Sequence, residues 1–237
     1  MCFFYYLVYY TRMDKKVKCV IILLSILGLI GVMVNFYKYN FDQSVKQRRM
    51  VPYPTRNAIM TKLLQIIMEA AKDSNVKPFM LYGTLLGQAR QNDFICYDYD
   101  IDMGIMETEY ETLHNQLKSN IKNYSDYYIK EKKLFGYRCV VLVHSETNIN
   151  ADISEFILKN NQIARNVPKL YSRYILKESQ VDYPKEWILP IKSIEFKNIN
   201  TFIPNQPEQL LRTYYGKDFL IPDHQCNSAC DECIKIK

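Results

Sequence analysis

The sequence predicts one α/β (α+β) domain, a mixed sheet flanked by helices, behind an amino-terminal transmembrane helix. Three observations carry this. Residues 19–37 run for 19 positions without a charge. Beyond them, helical and strand-like segments alternate in the order α, β, α, β, α, β, β, as mixed-sheet domains do. Hydrophobic residues make up 48% of the 237 and charged residues 24%, which suits a buried core and excludes wholesale disorder, a collagen-like chain or a multi-span transporter.

The uncharged run, CVIILLSILGLIGVMVNFY, would span about 28 Å as a helix, close to the hydrocarbon thickness of a bilayer. Tyr37 and Tyr39 suit an interface. A buried core helix is disfavoured because apolar residues occupy every face. A cleaved signal peptide is disfavoured because no small-residue cleavage site follows. Arg12, Lys15, Lys16 and Lys18 precede the run, so residues 1–18 are expected in the cytosol. The remainder is then expected on the lumenal (ER- or Golgi-like) or external side of a single-pass membrane protein. Residues 38–54, polar and carrying Pro52 and Pro54, read as a linker.

The folded part is expected over 55–225. Thr55 can cap a helix to about Lys72, with Ile59, Leu63, Ile66, Ile67 and Ala70 on one face. Phe79–Tyr82 reads as a short strand, Thr84–Gln91 as a helix, and Phe94–Ile105 as a second strand. Glu107–Ile121 is helical, with Tyr110, Leu113, Leu117 and Ile121 on one face. Strands are expected at Tyr137–Val143 and Ala151–Ile157. A more irregular second half ends in a helix at Pro207–Tyr215, stopped by Gly216. Cys96 and Cys139 read as plain core residues. In the tail, 226–237, the cysteines Cys226, Cys230 and Cys233 stand near His224. A disulfide, a zinc site and an unbonded tail all remain open there. The net charge of +6 is too small to imply a nucleic-acid partner.

The segment YDYDIDMG, 97–104, holds the most chemistry. On a strand, residues two apart share a face, so Asp98, Asp100 and Asp102 would project together with Ile101 and Met103 packed behind. Adjacent carboxylates repel, and protons or a bound cation must relieve them. Carboxylate oxygens suit Mg²⁺ or Mn²⁺. Upstream, GTLLGQAR at 83–90 places Gly83 and Thr84 where a strand enters a helix, a place suited to phosphate. Downstream, Asp152 is the natural third carboxylate, with Glu155 as the fallback. Tyr97 and Tyr99 read as packing residues. His114 reads as a helix-surface residue and His144 as a strand end, neither with a catalytic role, and His224 likewise has none.

These motifs, in order, resemble the core of the LicD/fukutin family, a branch of the nucleotidyltransferase-like superfamily. Gly83, Thr84, Leu85, Leu86, Gly87 and Arg90 match its first motif. Phe94, Ile95, Asp98, Asp100, Ile101, Asp102 and Gly104 match its second, and Asp152–Ile153 its later strand. Trp187, Pro190, Ile194, Phe196, Ile203, Pro204, Leu211, Tyr215, Gly216 and Asp218 resemble its carboxyl-terminal part. Tyr97 and Tyr99 depart from the family's usual Trp and third Asp.

The resemblance implies a nucleotidyltransferase-like fold and a phosphotransferase. It would move ribitol phosphate or phosphocholine from a CDP-alcohol donor to a glycan or glycoconjugate acceptor, releasing CMP. It implies catalytic and Mg²⁺- or Mn²⁺-binding roles for Asp100, Asp102 and Asp152. Gly83, Thr84, Arg90 and Asp98 would bind substrate. Two readings of other kinds use the same acids: an Asp-x-Asp glycosyltransferase taking a nucleotide-sugar, and a catalytically silent membrane-bound binding module.

Overall fold

In the computed structural model, residues 14–134, 136–167 and 182–222 are described. The chain divides into two units, Met1–Lys46 and Gln47–Lys237. Helix α1 (Lys15–Met50) begins in the first. Its stretch Lys15–Met33, with mean hydropathy 2.3, is the one helix among the described residues long and apolar enough to cross a membrane. Leu24, Leu29 and Val32 on it are exposed. The expected linker at 38–54 is instead helical as far as Met50. Nothing between Tyr37 and Pro52 breaks a helix, and Lys, Gln and Arg propagate one. Only Val51 and Pro52 separate α1 from α2 (Tyr53–Ser74).

The second unit is built on a seven-stranded mixed sheet. In chain order it contains β1 (Phe79–Met80), α3 (Tyr82–Gln91), β2 (Asp100–Met106), α4 (Glu107–Asn120), β3 (Tyr127–Leu134), β4 (Tyr137–His144) and β5 (Asn150–Lys159). Then follow β6 (Gln162–Arg165), β7 (Asp182–Pro184), α5 (Lys185–Ile188), β8 (Lys192–Phe196), β9 (Ile199–Ile203) and α6 (Pro207–Tyr215). The strand order is β1-β2-β5-β4-β3, with β6 pairing both β5 and β7, while β8 and β9 form a separate hairpin. Among the described residues only β2 and β5 pair in parallel; the other pairings are antiparallel.

Alternation along the strands sorts the two faces. Ile101, Met103, Ile105, Ala151, Ile153, Val140 and Leu142 enter the main core, against α2 and α4. From α2 come Met60, Leu63, Leu64 and Ile67, and from α4 Tyr110, Leu113 and Leu117. The other face carries Asp100, Asp102, Asn150 and Asp152 at one end of β2 and β5, and a second apolar cluster that includes Phe79, Phe156 and Leu210 further along.

The sequence missed β3 and the strands after β5. His114 is buried rather than on the helix surface, because α4 turns it toward β3. Cys139 is a free, buried cysteine as expected, but Cys96 is disulfide-bonded. The tail cluster of His224, Cys226, Cys230 and Cys233 lies outside the described residues.

Candidate active site

The acidic segment is shorter as a strand than its sequence suggests. β2 starts at Asp100, and residues 96–99 form a turn and loop before it. Asp100 and Asp102 share a strand face, whereas Asp98 arrives from the turn. That turn is fastened from several sides. The Asp98 N–H donates to Ile95 O (2.9 Å), and the Tyr99 N–H donates to Asp98 Oδ1 (3.0 Å). The buried Arg56 of α2 donates to Cys96 O. Tyr97 on this turn is 46% exposed, so it does not pack in the core as the alternation implied. Arg48 and Arg49 lie over the ring of Tyr99, 4.6 and 5.2 Å from its centroid.

The parallel register brings the third carboxylate in. Asp102 pairs with Asp152, and Asp100 with Asn150. Residues opposed in register project to the same face, so acids far apart in the chain stand side by side on neighbouring strands, about 4.8 Å apart. Glu155, the fallback acid, projects to the other face. There it is buried and accepts from Arg138 Nε (3.0 Å), so it is not part of this site.

The turn from β1 into α3 supports the acids from behind. Tyr82 opens α3 with φ of 44°, a left-handed conformation uncommon for a bulky side chain. Its ring is held by Tyr214, with centroids 4.6 Å apart. The helix begins two residues earlier than the sequence suggests, so Gly83 and Thr84 lie within its first turn. A Cβ at Gly83 would run into the Asp98 carboxylate, so glycine is what lets that acid approach. Thr84 is buried and its Oγ1 accepts the Asp102 N–H (2.9 Å). The structure thus gives Thr84 a positioning contact to an acid. Arg90 is turned away: its Nε donates to Phe219 O (2.6 Å) and its Nη2 to Ile221 O (3.3 Å). It braces the carboxyl-terminal segment rather than meeting the acids.

Burial, then repulsion from Asp100, lifts the Asp98 carboxyl to about 8. Asp102 is raised well above the ordinary carboxylate value by burial and by Asp100, Asp152 and Asp98 together. Asp100 is raised by burial, with Arg48 opposing and Asp152 adding to the rise. Such a cluster draws protons or cations. Its donors are all carboxylate oxygens, the set that hard divalent ions take, so the residues fit Mg²⁺ or Mn²⁺. Among the described residues no three His, Cys, Asp or Glu side chains are already drawn onto one point as an ion cage. Basic side chains hold outer oxygens of the cluster instead. Lys132 Nζ lies 2.7 Å from Asp152 Oδ2, and Arg48 Nη1 lies 3.6 Å from Asp100 Oδ2. Arg48 also donates to Asn150, and Asn150 Nδ2 donates to Asp152 Oδ1 (2.7 Å).

Arg48, Arg56, Lys132 and Asn150 escaped the sequence reading. Arg48 sat in the expected linker and Lys132 in an unrecognised strand. The signal for Lys132 was available: in YYIKEKKL, Tyr128, Lys130 and Lys132 alternate with Ile129 and Glu131.

Comparison with known proteins adds four findings. The family model described as "LicD/FKTN/FKRP, nucleotidyltransferase domain" matches residues 75–206, which include all the site acids. An uncharacterized protein of Rickettsia typhi is 27% identical over 216 residues, 84% of this chain and 62% of that protein. Ribitol 5-phosphate transferase FKRP of Mus musculus is 22% identical over 152 residues, 63% of this chain and 29% of that protein. The chain thus spans less than two thirds of the length of either relative. Among solved structures, the antibiotic-resistance factor ANT(2'')-Ia aligns with a TM-score of 0.43 at 12% identity, covering 76% of this chain and 82% of that one.

Proposed function

The chain belongs to the LicD/FKTN/FKRP nucleotidyltransferase-domain family, and from that premise we propose a phosphotransferase that moves a phospho-alcohol group from a CDP-alcohol to a glycan hydroxyl. Ribitol phosphate and phosphocholine are the groups proposed, and CMP is the product released. The observation that carries the reading is the register of β2 against β5, which sets Asp102 beside Asp152 and next to Asp100. Asp100, Asp102 and Asp152 are the residues that would hold Mg²⁺ or Mn²⁺. A divalent cation bound there supplies charge neutralisation to the donor's diphosphate and to the oxygens that gain charge during transfer.

The chain's own residues do the rest. Thr84 fixes the backbone of Asp102, and Gly83 leaves room for Asp98, so the acids are set in place before substrate arrives. Asp152 would accept the proton of the attacking hydroxyl. That hydroxyl oxygen forms a bond to the outer phosphorus of the donor, and the bond from that phosphorus to the bridging oxygen breaks. CMP leaves with the electron pair. Asp98, brought beside Asp100 by the turn before β2 and pushed up by burial and by that neighbour while no cation is bound, would help to seat the donor next to the ion.

We assign the protein to a membrane, through the span at Lys15–Met33, with its catalytic unit in an oxidising compartment. The disulfide at Cys96 supports that side, since disulfides persist outside the cytosol.

The test is incubation of the purified protein with CDP-ribitol, CDP-choline or CDP-glycerol and Mg²⁺ or Mn²⁺, scored for CMP. At least one donor should turn over. Asp100→Asn and Asp102→Asn should each abolish metal-dependent CMP release with unchanged circular dichroism. Turnover of a UDP- or GDP-sugar with no CMP from any CDP-alcohol would replace this reading with sugar transfer.

A further inference from the structure

We propose that Lys132 is an exchangeable counter-ion of the active site. Its ammonium holds Asp152 while no divalent cation is bound. It releases that carboxylate to the incoming ion and turns to the diphosphate of the nucleotide donor. This deepens the proposed function and rests on it.

Asp152 has both oxygens engaged. Oδ1 accepts from Asn150 Nδ2 at 2.7 Å, and Oδ2 meets Lys132 Nζ at 2.7 Å. Each oxygen keeps a second acceptor position, so it is charge and not valence that decides: the ammonium of Lys132 on Oδ2 repels an incoming divalent cation, whereas the neutral amide of Asn150 on Oδ1 does not. Asn150 is short, largely buried and itself held by Arg48, so it stays. Lys132 differs in every respect. It lies on β3, two strands from β5, with Cys139 as its register partner on β4, and its flexible stem crosses β4 to reach the acid. Its side chain is 55% accessible. With its lysine end open to water and its acid end 26% accessible, the pair is held less firmly than a buried one, and a divalent ion carries twice the charge.

Arg48, another base at the cluster, shows the contrast. It is 6% exposed, bonded to Asn150 and seated on the ring of Tyr99. Arg48 is fixed, and Lys132 is able to swing. A displaced Lys132 stays tethered beside the cluster, where the donor brings at least two negative phosphates. A compact ammonium on a flexible stem is a common phosphate ligand.

A purely structural Lys132 would weaken all binding when removed, whereas an exchangeable one predicts opposite signs. The experiment measures Mn²⁺ affinity by electron paramagnetic resonance of free Mn²⁺, and CDP affinity at saturating Mn²⁺ by calorimetry. Both are done on the full chain, with Lys132→Met and Lys132→Arg as variants. Lys132→Met should bind Mn²⁺ about two- to five-fold tighter than wild type without nucleotide, the size expected when a weak competing pair is removed. It should bind CDP more weakly, and Lys132→Arg should restore CDP affinity. Mn²⁺ affinity unchanged or lowered in Lys132→Met, while wild type binds Mn²⁺ in a way that Asp102→Asn abolishes, overturns the role given to Lys132 alone. A wild-type protein that binds no Mn²⁺ removes the proposed function's cation site, and this inference with it.

Discussion

Thr84 and Gly83 sit one residue apart and serve the acids by different means. Thr84 accepts the amide of Asp102, so Thr84→Val leaves a buried N–H without an acceptor at nearly constant volume. That should cost about 1–3 kcal/mol in urea unfolding, and Thr84→Ser should recover most of it. Gly83 faces a side chain and Gly87 faces backbone. A Cβ at Gly87 would stand 2.5 Å from Asp93 O and 3.2 Å from Ile95 N, neither of which can swing aside. Gly87→Ala should therefore destabilise by about 1–3 kcal/mol through overpacking, while Gly83→Ala should mainly displace Asp98 and lower CDP-alcohol turnover. Equal loss of stability in both variants would contradict this division. The alternating acids were legible because a two-residue period predicts a shared face. That Asp98 reaches the cluster from a turn was not, since the turn depends on Arg56, forty residues earlier in the chain. Arg90 was misplaced for the same kind of reason: its partners are carbonyls near the other end of the domain.

At the level of elements, helices with a clean apolar stripe were legible. α4 and α6 begin where the pattern begins, and Gly216 closes α6 at φ of 83°. The strand β3 was not, because it forms the end of the main strand order and carries lysines, which protect an exposed edge. Its charge pairs have a measurable consequence. Glu131 on β3 meets Lys118 of α4 at 2.8 Å and Lys133 at 3.0 Å, and these hydrogen bonds, Lys118 first, hold its carboxyl down at about 2. A carboxyl depressed in the folded state stabilises the fold above its unfolded value, about 4.3, and loses that contribution as pH falls toward 2. Wild type should therefore be more stable than Glu131→Gln at pH 7. The gap should narrow between about pH 4.3 and 2, measured as urea midpoints across the range. A gap that does not change with pH would mean that Glu131 acts by packing and not by charge.

For the molecule as a whole, the order of elements could be read along the chain, but the one parallel pairing could not. Joining β2 to β5 closes a connection of more than forty residues, and no local pattern says which strands will meet across it. The proposed chemistry depends on that pairing, because it sets Asp152 beside Asp102. The boundary of the folded unit was equally hidden. Composition put a linker at 38–54, which a protein starting at Val51 would largely omit, and the folded part at 55–225, but Arg48, at the end of α1, is buried against Asn150 and 3.6 Å from Asp100. The folded unit begins at Gln47, where Gln47 itself donates to Glu146 O at 3.1 Å and accepts from Asn148 Nδ2 at 2.9 Å. A protein starting at Gln47 should therefore be more stable than one starting at Val51 by about 1–3 kcal/mol, the cost of stripping a buried charged donor from its acceptors. Arg48→Met in the longer form should reproduce most of the difference. Because Arg48 also steadies Asp100 and Asn150, the shorter form should bind Mn²⁺ with altered affinity even at temperatures where both forms are fully folded. Equal urea midpoints for the two forms would show that α1 contributes nothing to the domain beyond the anchor, and would return the boundary to Val51.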